Sequence, residues 1–198
     1  TAEARPPKLR FSYDREPVLD VLQVEDLQLY VGERDQYKQL AAHINLSIRR
    51  GEKIALIGAN GVGKSTLLKA IQRLIPSRYR FLQWGRNVRI GYYEQENRQL
   101  HPEKTALDEL WDRFPNAYEQ DIRGALGAVL LSGEAVKKQV KVLSGGERAK
   151  LAFAILMLER GNVLLMDEPT NHLDINSKEA LDDSLQEFTG TVLLVSHD

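Results

Sequence analysis

The fold is decided by the stretch Gly58-Ala59-Asn60-Gly61-Val62-Gly63-Lys64-Ser65. A short apolar run at residues 54–57 precedes it, and a helix pattern at residues 64–75 follows and stops at Pro76. The spacing matches G-x-x-x-x-G-K-[ST], in which glycines let the backbone turn its N–H groups toward phosphate oxygens. The start of the helix adds a partial positive charge. The stretch therefore predicts a phosphate-binding loop between a buried strand and a helix.

Lys64 is placed to reach the β- and γ-phosphates of a nucleotide, and Ser65 to ligate Mg²⁺. A chance glycine-rich turn is the alternative, which the flanking strand and helix disfavour. The loop alone leaves the nucleotide and the reaction open. The predicted loop ligands are Gly58, Asn60, Gly61, Val62, Gly63, Lys64, Ser65 and Thr66.

Apolar runs at residues 163–166 and 191–195 alternate with helix patterns at 149–158 and 176–188. Strand, helix, strand, helix, strand predicts an α/β fold with a mainly parallel central sheet flanked by helices. The continuous run at 54–57 predicts a strand buried on both faces.

Alternation within residues 18–50 predicts an N-terminal antiparallel β subdomain, and residues 81–93 read as further strand. Residues 101–141 read as mostly helical, and we expect the apolar stripe along them to pack in the core. Gly161 is expected to end the helix at 149–158.

A carboxylate pair, Asp167-Glu168, follows the apolar run that ends at Met166. The carboxyl ends of parallel strands face the crevice in which such sheets bind ligands. Asp167 can hold Mg²⁺, directly or through water, and Glu168 can accept a proton from an attacking water. The alternative is a solvated acidic pair before the turn at Pro169, which the nearby phosphate loop disfavours.

The composition is ordinary for a globular domain: 198 residues, 42% hydrophobic and 28% charged, with a net charge of −1. The charge gives no support for DNA binding. The absence of cysteine excludes disulfides, thiol nucleophiles and cysteine-ligated zinc, and fits a cytoplasmic protein. No apolar run approaches the ~20 residues that span a bilayer, so no membrane insertion is predicted.

Leu143-Ser144-Gly145-Gly146-Glu147 contains a Ser-x-x-Glu capping box at the predicted start of a helix. Ser144 would cap the helix, Glu147 would reach back, and the two glycines would leave backbone N–H groups bare. The stretch therefore predicts a second anion site, or, in the plainer interpretation, only a well-capped helix.

The order of these motifs, together with Gln95 and His197, resembles the ATP-binding cassette (ABC) ATPases, a P-loop NTPase fold with a helical signature subdomain. The resemblance covers roughly residues 21–198. It implies ATP hydrolysis with Mg²⁺, closed by a second ABC domain whose ATP contacts Ser144, Gly145, Gly146 and Glu147. Gln95 is similar to the glutamine that senses Mg²⁺ and water, and His197 to the switch histidine.

The resemblance also places Asp174 at the dimer seam and Tyr30 against the adenine ring. Stacking at Tyr30 is plausible because a flat π face suits a purine. Tyr37 and Tyr13 are competitors, and an ordinary core or edge tyrosine is the alternative. The metal ligands implied are Ser65, Gln95 and Asp167.

The stretch Glu168-Pro169-Thr170-Asn171-His172-Leu173-Asp174 resembles the ABC-F group, two-cassette proteins that act on ribosomes. Residues 121–126, 131–134 and 146–151 are also similar to that group. The chain holds one cassette and begins at Thr1, so we predict the second cassette of such a protein, truncated at its C-terminal end. Residues 1–17 are predicted to be a linker or tail, and 18–198 the ATPase domain, with a helical subdomain at about 96–147.

Three functions stay open. The first is an ABC-F ribosome-associated ATPase, acting in translation or antibiotic resistance, which we favour. The second is the nucleotide-binding subunit of a membrane transporter, which would need a groove between residues 95 and 144 for a helix of a membrane subunit. The third is a clamp with little turnover, against which the presence of both Glu168 and His197 counts.

Overall fold

The computed structural model describes residues 6–58 and 61–197. The β-strands are β1 Asp20–Val31, β2 Lys38–Arg49, β3 Lys53–Ile57, β4 Phe81–Trp84, β5 Ile90–Tyr93, β6 Val163–Asp167 and β7 Thr191–Ser196. The α-helices are α1 Gly61–Ile71, α2 Ala106–Arg113, α3 Glu119–Ala128, α4 Gly145–Glu159 and α5 Ile175–Glu187. Short 3-10 turns lie at Arg34–Gln36, Gln95–Asn97, Gly133–Lys137 and Val140–Val142.

The strands form two sheets, as the alternation of patterns predicted. An antiparallel sheet runs in the order β2-β1-β4, and a parallel sheet in the order β3-β7-β6-β5. The predicted antiparallel subdomain is confirmed over β1 and β2. The further strand expected within residues 81–93 is present as two strands, of which β4 joins the antiparallel sheet and β5 the parallel one.

The parallel sheet divides the core into two apolar clusters. Along β6, Val163 and Leu165 contact the cluster beneath α1 and the antiparallel sheet, whereas Leu164 and Met166 contact the cluster formed with α4. All of β6 is buried, because side chains alternate across a sheet that is covered on both faces.

β3 departs from the expectation of burial on both faces. In the described part of the chain it lies at the end of the parallel sheet, beside β7 alone, and Ile57 is 63% exposed. Its apolar sequence resembles that of β6 even though its outer side is open. Position in the sheet, rather than composition, therefore decides its burial.

Helices α2 and α3 occupy part of the region predicted to be mostly helical, with turns between and after them. Within the predicted apolar stripe, Leu110 is fully buried, and Leu107, Trp111 and Phe114 pack partly buried against the core, as expected.

The end of α4 differs from the expectation. Arg160, not Gly161, takes the left-handed conformation, with φ 57°. Gly161 is required for another reason: a Cβ there would lie 2.7 Å from the backbone nitrogen of Gly91 in β5.

The segment of residues 6–17 crosses the outside of this core. Lys8 N–H donates to the carbonyl of Ala128 at the end of α3, at 2.7 Å. Phe11 is 7% exposed and meets Phe188, just after α5, edge to face at 6.4 Å. The described part of the predicted linker or tail is therefore packed on the domain.

Candidate nucleotide site

The phosphate loop is attached to the end of the parallel sheet. Gly58 N–H donates to the carbonyl of Ser196, the last residue of β7, at 3.1 Å. The Lys64 ammonium donates to the Gly58 carbonyl, and a Cβ at position 58 would lie 3.0 Å from the Lys64 nitrogen. Glycine at this position therefore leaves room for the lysine. Asn60, a predicted ligand, lies outside the described residues.

The rest of the predicted loop belongs to α1. The helix begins at Gly61, so its first backbone N–H groups follow directly on the loop at the carboxyl end of β3. Gly63, Lys64 and Ser65 are partly exposed, whereas Thr66 is 8% exposed. The loop and helix together can hold a phosphate between backbone amides and the lysine.

A group of oxygen atoms lies beside the loop. The Ser65 hydroxyl donates to Gln95 Oε1 at 3.3 Å. Asp167, at the end of β6, is 1% exposed, and neither carboxylate oxygen accepts a hydrogen bond of good geometry from the described residues. Burial raises the pKa of Asp167, although the nearby Ser65 hydroxyl lowers it. Since the single Ser65 proton points to Gln95, it leaves the carboxylate unsatisfied.

This donor set fits Mg²⁺. The ion prefers hydroxyl, amide and carboxylate oxygens, and a buried carboxylate without a partner gains most from a cation. Among the described residues, no group of three or more His, Asp or Glu side chains forms a metal site, so only a mixed set of this kind is available.

Glu168 and His197 form a pair next to Asp167. His197 Nδ1 lies 2.9 Å from Glu168 Oε2, and Glu168 is 4% exposed whereas His197 is half exposed. Glu168 has φ 51°, and its N–H donates to the carbonyl of Val195 in β7 at 2.9 Å. The left-handed backbone fixes the carboxylate at the sheet edge, where it can accept a proton.

The turn after β5 positions Gln95. Glu96 and Asn97 both take left-handed backbone conformations, and Asn97 is 7% exposed. Asn97 Nδ2 donates to the Tyr93 hydroxyl at 3.3 Å, and burial raises the pKa of Tyr93 to about 12. The tyrosine therefore stays neutral and supports the turn from below.

Sequence reasoning missed Tyr92 and Glu94. The Tyr92 hydroxyl is buried without a partner in the described residues, and burial raises its pKa, with the charges of Glu94 and Asp167 adding to the effect. Both residues adjoin the predicted Gln95, and that adjacency was the only signal available.

The signature stretch forms a second group of residues. The predicted capping box is confirmed: Glu147 N–H donates to Ser144 Oγ at 3.1 Å, and Ser144 N–H donates to Glu147 Oε1 at 3.0 Å. The hydrogen bond from the Ser144 backbone lowers the pKa of Glu147. Ser144 is exposed, so the start of α4 can be reached by a ligand.

His172 packs against the two glycines of this stretch. A Cβ on Gly145 would lie 2.7 Å from His172 Cγ, and one on Gly146 would lie 3.0 Å from the His172 carbonyl oxygen. His172 itself has φ 68°. The glycines are therefore required by close packing within this chain.

Asp174 caps α5. Its carboxylate accepts the Ser177 N–H at 2.7 Å, which lowers its pKa. The cap gives Asp174 a local structural role that is compatible with a place at a dimer seam, since the residue is exposed.

Tyr30 lies outside the group of catalytic candidates described so far. Its hydroxyl donates to Gln28 Oε1 at 2.7 Å, and the Arg78 guanidinium lies 5.8 Å from its ring centroid. Tyr30 and Tyr37 line one cavity of about 220 Å³ with residues 76–78. The third candidate, Tyr13, packs on Phe188 instead, with ring centroids 5.8 Å apart.

The predicted residues thus fall into two groups. The first lies at the carboxyl edge of the parallel sheet and the start of α1: Lys64, Ser65, Gln95, Asp167, Glu168 and His197. The second joins the start of α4 to the loop before α5.

No helix in the described residues is long and apolar enough to cross a bilayer.

This fold and the loop at its sheet edge define a P-loop nucleoside-triphosphate-binding domain. A family model described as ABC transporter matches residues 41–171. The chain belongs to this ABC transporter family, and it is an ATP-binding ABC domain.

Two relatives illustrate the similarity. YdiF of Bacillus subtilis (strain 168) is 46% identical over 179 residues, 90% of this chain and 27% of YdiF. ABC transporter F family member 5 of Arabidopsis thaliana is 44% identical over 163 residues, 81% of this chain and 24% of that protein. The chain therefore spans about a quarter of the length of these relatives.

The fold is that of an ABC cassette. The chain superposes on the ATP-binding cassette MJ0796, solved as a dimer in a post-hydrolysis state with ADP and Pi. The TM-score is 0.76 over 89% of this chain and 88% of that one, at 22% identity. The same comparison confirms the predicted α/β class with its antiparallel and parallel sheets.

Proposed function

We propose that this chain hydrolyses ATP to ADP and phosphate in a site that a second ABC domain completes. The observation that carries the proposal is the buried, unpartnered carboxylate of Asp167 between Ser65 and the Glu168–His197 pair. A domain keeps such a charge buried when a cation compensates it. ABC ATPases as a family hydrolyse ATP, in agreement with this chemistry.

In this proposal the triphosphate lies along the phosphate loop. The amides of residues 58–66 and the Lys64 ammonium hold the phosphate oxygens, and Tyr30 contacts the adenine. Ser65, Gln95 and Asp167 hold Mg²⁺, which when bound neutralises charge on the β- and γ-phosphates. The partly exposed ring of Tyr30, beside a cavity, supports its assignment.

Glu168 is the proposed base. A water oxygen attacks the γ-phosphorus while the bond to the β,γ-bridging oxygen breaks, so ADP leaves and Glu168 takes the water proton. His197, 2.9 Å from Glu168, orients this carboxylate, and Gln95 contributes to placing the water. The contribution of these residues is positioning and charge stabilisation.

The second group of residues is proposed to meet the ATP of a partner domain. Ser144, Gly145, Gly146 and Glu147 would present the start of α4, and Asp174 would lie at the seam. Two exposed apolar side chains flank this region, Val142 at 61% and Ile175 at 74% exposure. Apolar residues open to water beside an anion site are consistent with a face that closes on another domain.

We further propose an ABC-F role, with this chain as the second cassette of a two-cassette cytoplasmic protein that acts on the ribosome. Residues 18–198 would be the ATPase domain, residues 1–17 its linker, and residues 96–147 its helical subdomain. The 44% identity to an ABC transporter F family member supports this role. A reading frame with another ABC domain upstream would agree, and one with a membrane-spanning partner would favour the transporter alternative.

The test of the ATPase proposal is Glu168→Gln. We expect ATP binding to persist and turnover to fall by about a hundredfold or more, because the base is lost while the loop is intact. Turnover is measured by phosphate release, and binding by titration with a fluorescent ATP analogue.

Glu179→Gln, an exposed position on α5, makes the same chemical change and should leave both quantities unchanged. Turnover of Glu168→Gln at the level of the wild type would show that Glu168 is not the base.

A further inference from the structure

We propose that a cavity at the opposite edge of the parallel sheet binds a phosphate group. The cavity measures about 290 Å³, and its polar lining is Asp14, Arg15, Asn87, Arg89, Arg160 and Asn162. It adjoins the beginnings of β5 and β6, whereas the nucleotide site lies at their carboxyl ends. Five residues of strand separate the two edges by roughly 15 Å, so the cavity is distinct from the nucleotide site.

The cavity carries an excess of positive charge. Three arginines and a single carboxylate line it, and of these arginines only Arg160 pairs with Asp14, at 2.6 Å. Arg15 Nη1 makes one long contact of 3.5 Å, to Asn87 Oδ1. In residues 6–58 and 61–197 the Arg89 guanidinium has no hydrogen-bond or ion-pair partner. This concentration of charge occurs in a chain whose net charge is only −1.

Asn162 fixes the walls of the cavity. It is 2% exposed, its Nδ2 donates to the carbonyls of Arg15 and Asn87 at 2.8 Å each, and its Oδ1 accepts the Arg89 N–H at 2.8 Å. One buried side chain thus holds two distant segments in place with three hydrogen bonds. Arg160 follows α4 with a left-handed backbone, φ 57°, and its ion pair with Asp14 connects the end of that helix to the segment of residues 6–17.

The lining selects the chemistry of the ligand. It contains guanidinium groups but no aromatic side chain, so it offers little to a base or a steroid-like molecule and much to an oxyanion. The planar fork of arginine matches phosphate oxygens with two parallel hydrogen bonds. The phosphate could belong to an RNA strand or to a small phosphate compound.

The experiment uses the 198-residue chain with its nucleotide site saturated by Mg-ADP. Two probes are titrated: a fluorescent single-stranded RNA oligonucleotide followed by anisotropy, and inorganic diphosphate followed by calorimetry. The variant is Arg89→Gln, and the control is Arg123→Gln, an exposed arginine on α3 that pairs with Glu119. Neither residue belongs to the ATPase site, so ATP turnover should stay unchanged.

We expect Arg89→Gln to weaken binding about tenfold, because a charge-assisted contact is lost, and Arg123→Gln to have no effect. If RNA binding depends on Arg89, the slope of log binding constant against log salt concentration should also become shallower in Arg89→Gln, by the amount expected for about one lost phosphate contact. That result would identify an RNA strand as the ligand. If Arg89→Gln weakens the binding of diphosphate but not of RNA, the ligand is a small phosphate compound. Equal affinities for the wild type and both variants with both probes would overturn the proposal, as would equal weakening by the two substitutions.

Discussion

Asp167 is a carboxylate that the fold buries and does not satisfy. Without a cation, its charge destabilises the folded chain, because burial removes water and the neighbouring Glu168 adds repulsion. The same isolation makes it a strong ligand once a cation arrives. Stability and metal binding therefore oppose each other at this residue.

Asp167→Asn should therefore stabilise the Mg²⁺-free chain, by about 1 to 2 kcal/mol, and weaken the further stabilisation that Mg-ATP provides. Thermal unfolding with and without Mg-ATP measures both effects. Asp183→Asn, at an exposed position on α5, is the matched control and should change neither. A variant that is less stable than the wild type without Mg²⁺ would contradict this account of Asp167.

Gly145 and His172 depend on each other. A methyl group on residue 145 would lie 2.7 Å from His172 Cγ, so Gly145→Ala should destabilise the chain by about 1 to 3 kcal/mol. In a His172→Ala background the ring atoms are absent and only Cβ of residue 172 remains, 3.1 Å from the added methyl group. Because alanine is also a better helix former than glycine, the same substitution should then cost much less or be neutral.

A double-mutant cycle by urea unfolding measures this coupling. Equal effects of Gly145→Ala in the two backgrounds would show that the histidine ring does not restrict the glycine. The result bears on function, because His172 lies four residues after Glu168 and contacts the signature helix.

Among the elements, the extended segment of residues 6–17 links parts of the domain that are distant in sequence. It hydrogen-bonds through Lys8 to Ala128 at the end of α3. It also packs on Phe188 through Phe11 and Tyr13, and pairs with Arg160 through Asp14. A segment preceding the first strand thus touches the ends of α3, α4 and α5. Any force on the segment would reach these helices directly.

Phe11→Ala should lower the free energy of unfolding by about 3 kcal/mol, since it removes a buried ring and its edge-to-face contact. Urea unfolding of the chain is the measurement. Leu19→Ala, at a position 51% exposed, should change the stability by less than about 0.5 kcal/mol. A loss as small for Phe11 as for Leu19 would mean that the segment is not held by its aromatic contact.

In the whole molecule, the two groups of site residues lie on different elements and would contact different nucleotides. One surrounds the phosphate loop, and the other exposes the start of α4 beside Val142 and Ile175. If each active site takes its parts from two domains, defects in the two groups should complement each other.

Lys64→Ala and Ser144→Asp should each be inactive alone and recover turnover when mixed, because the mixture contains one pair with an intact loop facing an intact signature. Aspartate caps a helix as well as serine does, so Ser144→Asp keeps α4 while opposing a triphosphate with negative charge. Phosphate release by the mixture is compared with each variant at the same total concentration. A mixture no more active than its components would exclude a shared site.

The local structure around the nucleotide site could be predicted from the sequence. The glycine spacing before Lys64, the Ser144–Glu147 box and the apolar run before Asp167 depend on contacts within a few residues, and the period of a helix or strand encodes these. For that reason the capped start of α4 and the buried β6 were predicted correctly from spacing, and the described part of the loop lies between β3 and α1 as expected.

Contacts between segments that are separate in sequence became visible in the three-dimensional fold alone. In the fold, β3 lies at an exposed position, Arg160 rather than Gly161 takes the left-handed conformation after α4, and His172 packs on Gly145. The fold also gathers Arg15, Arg89 and Arg160 around Asn162. These outcomes depend on how segments that are separate in sequence pack against each other, and residue spacing does not encode such contacts.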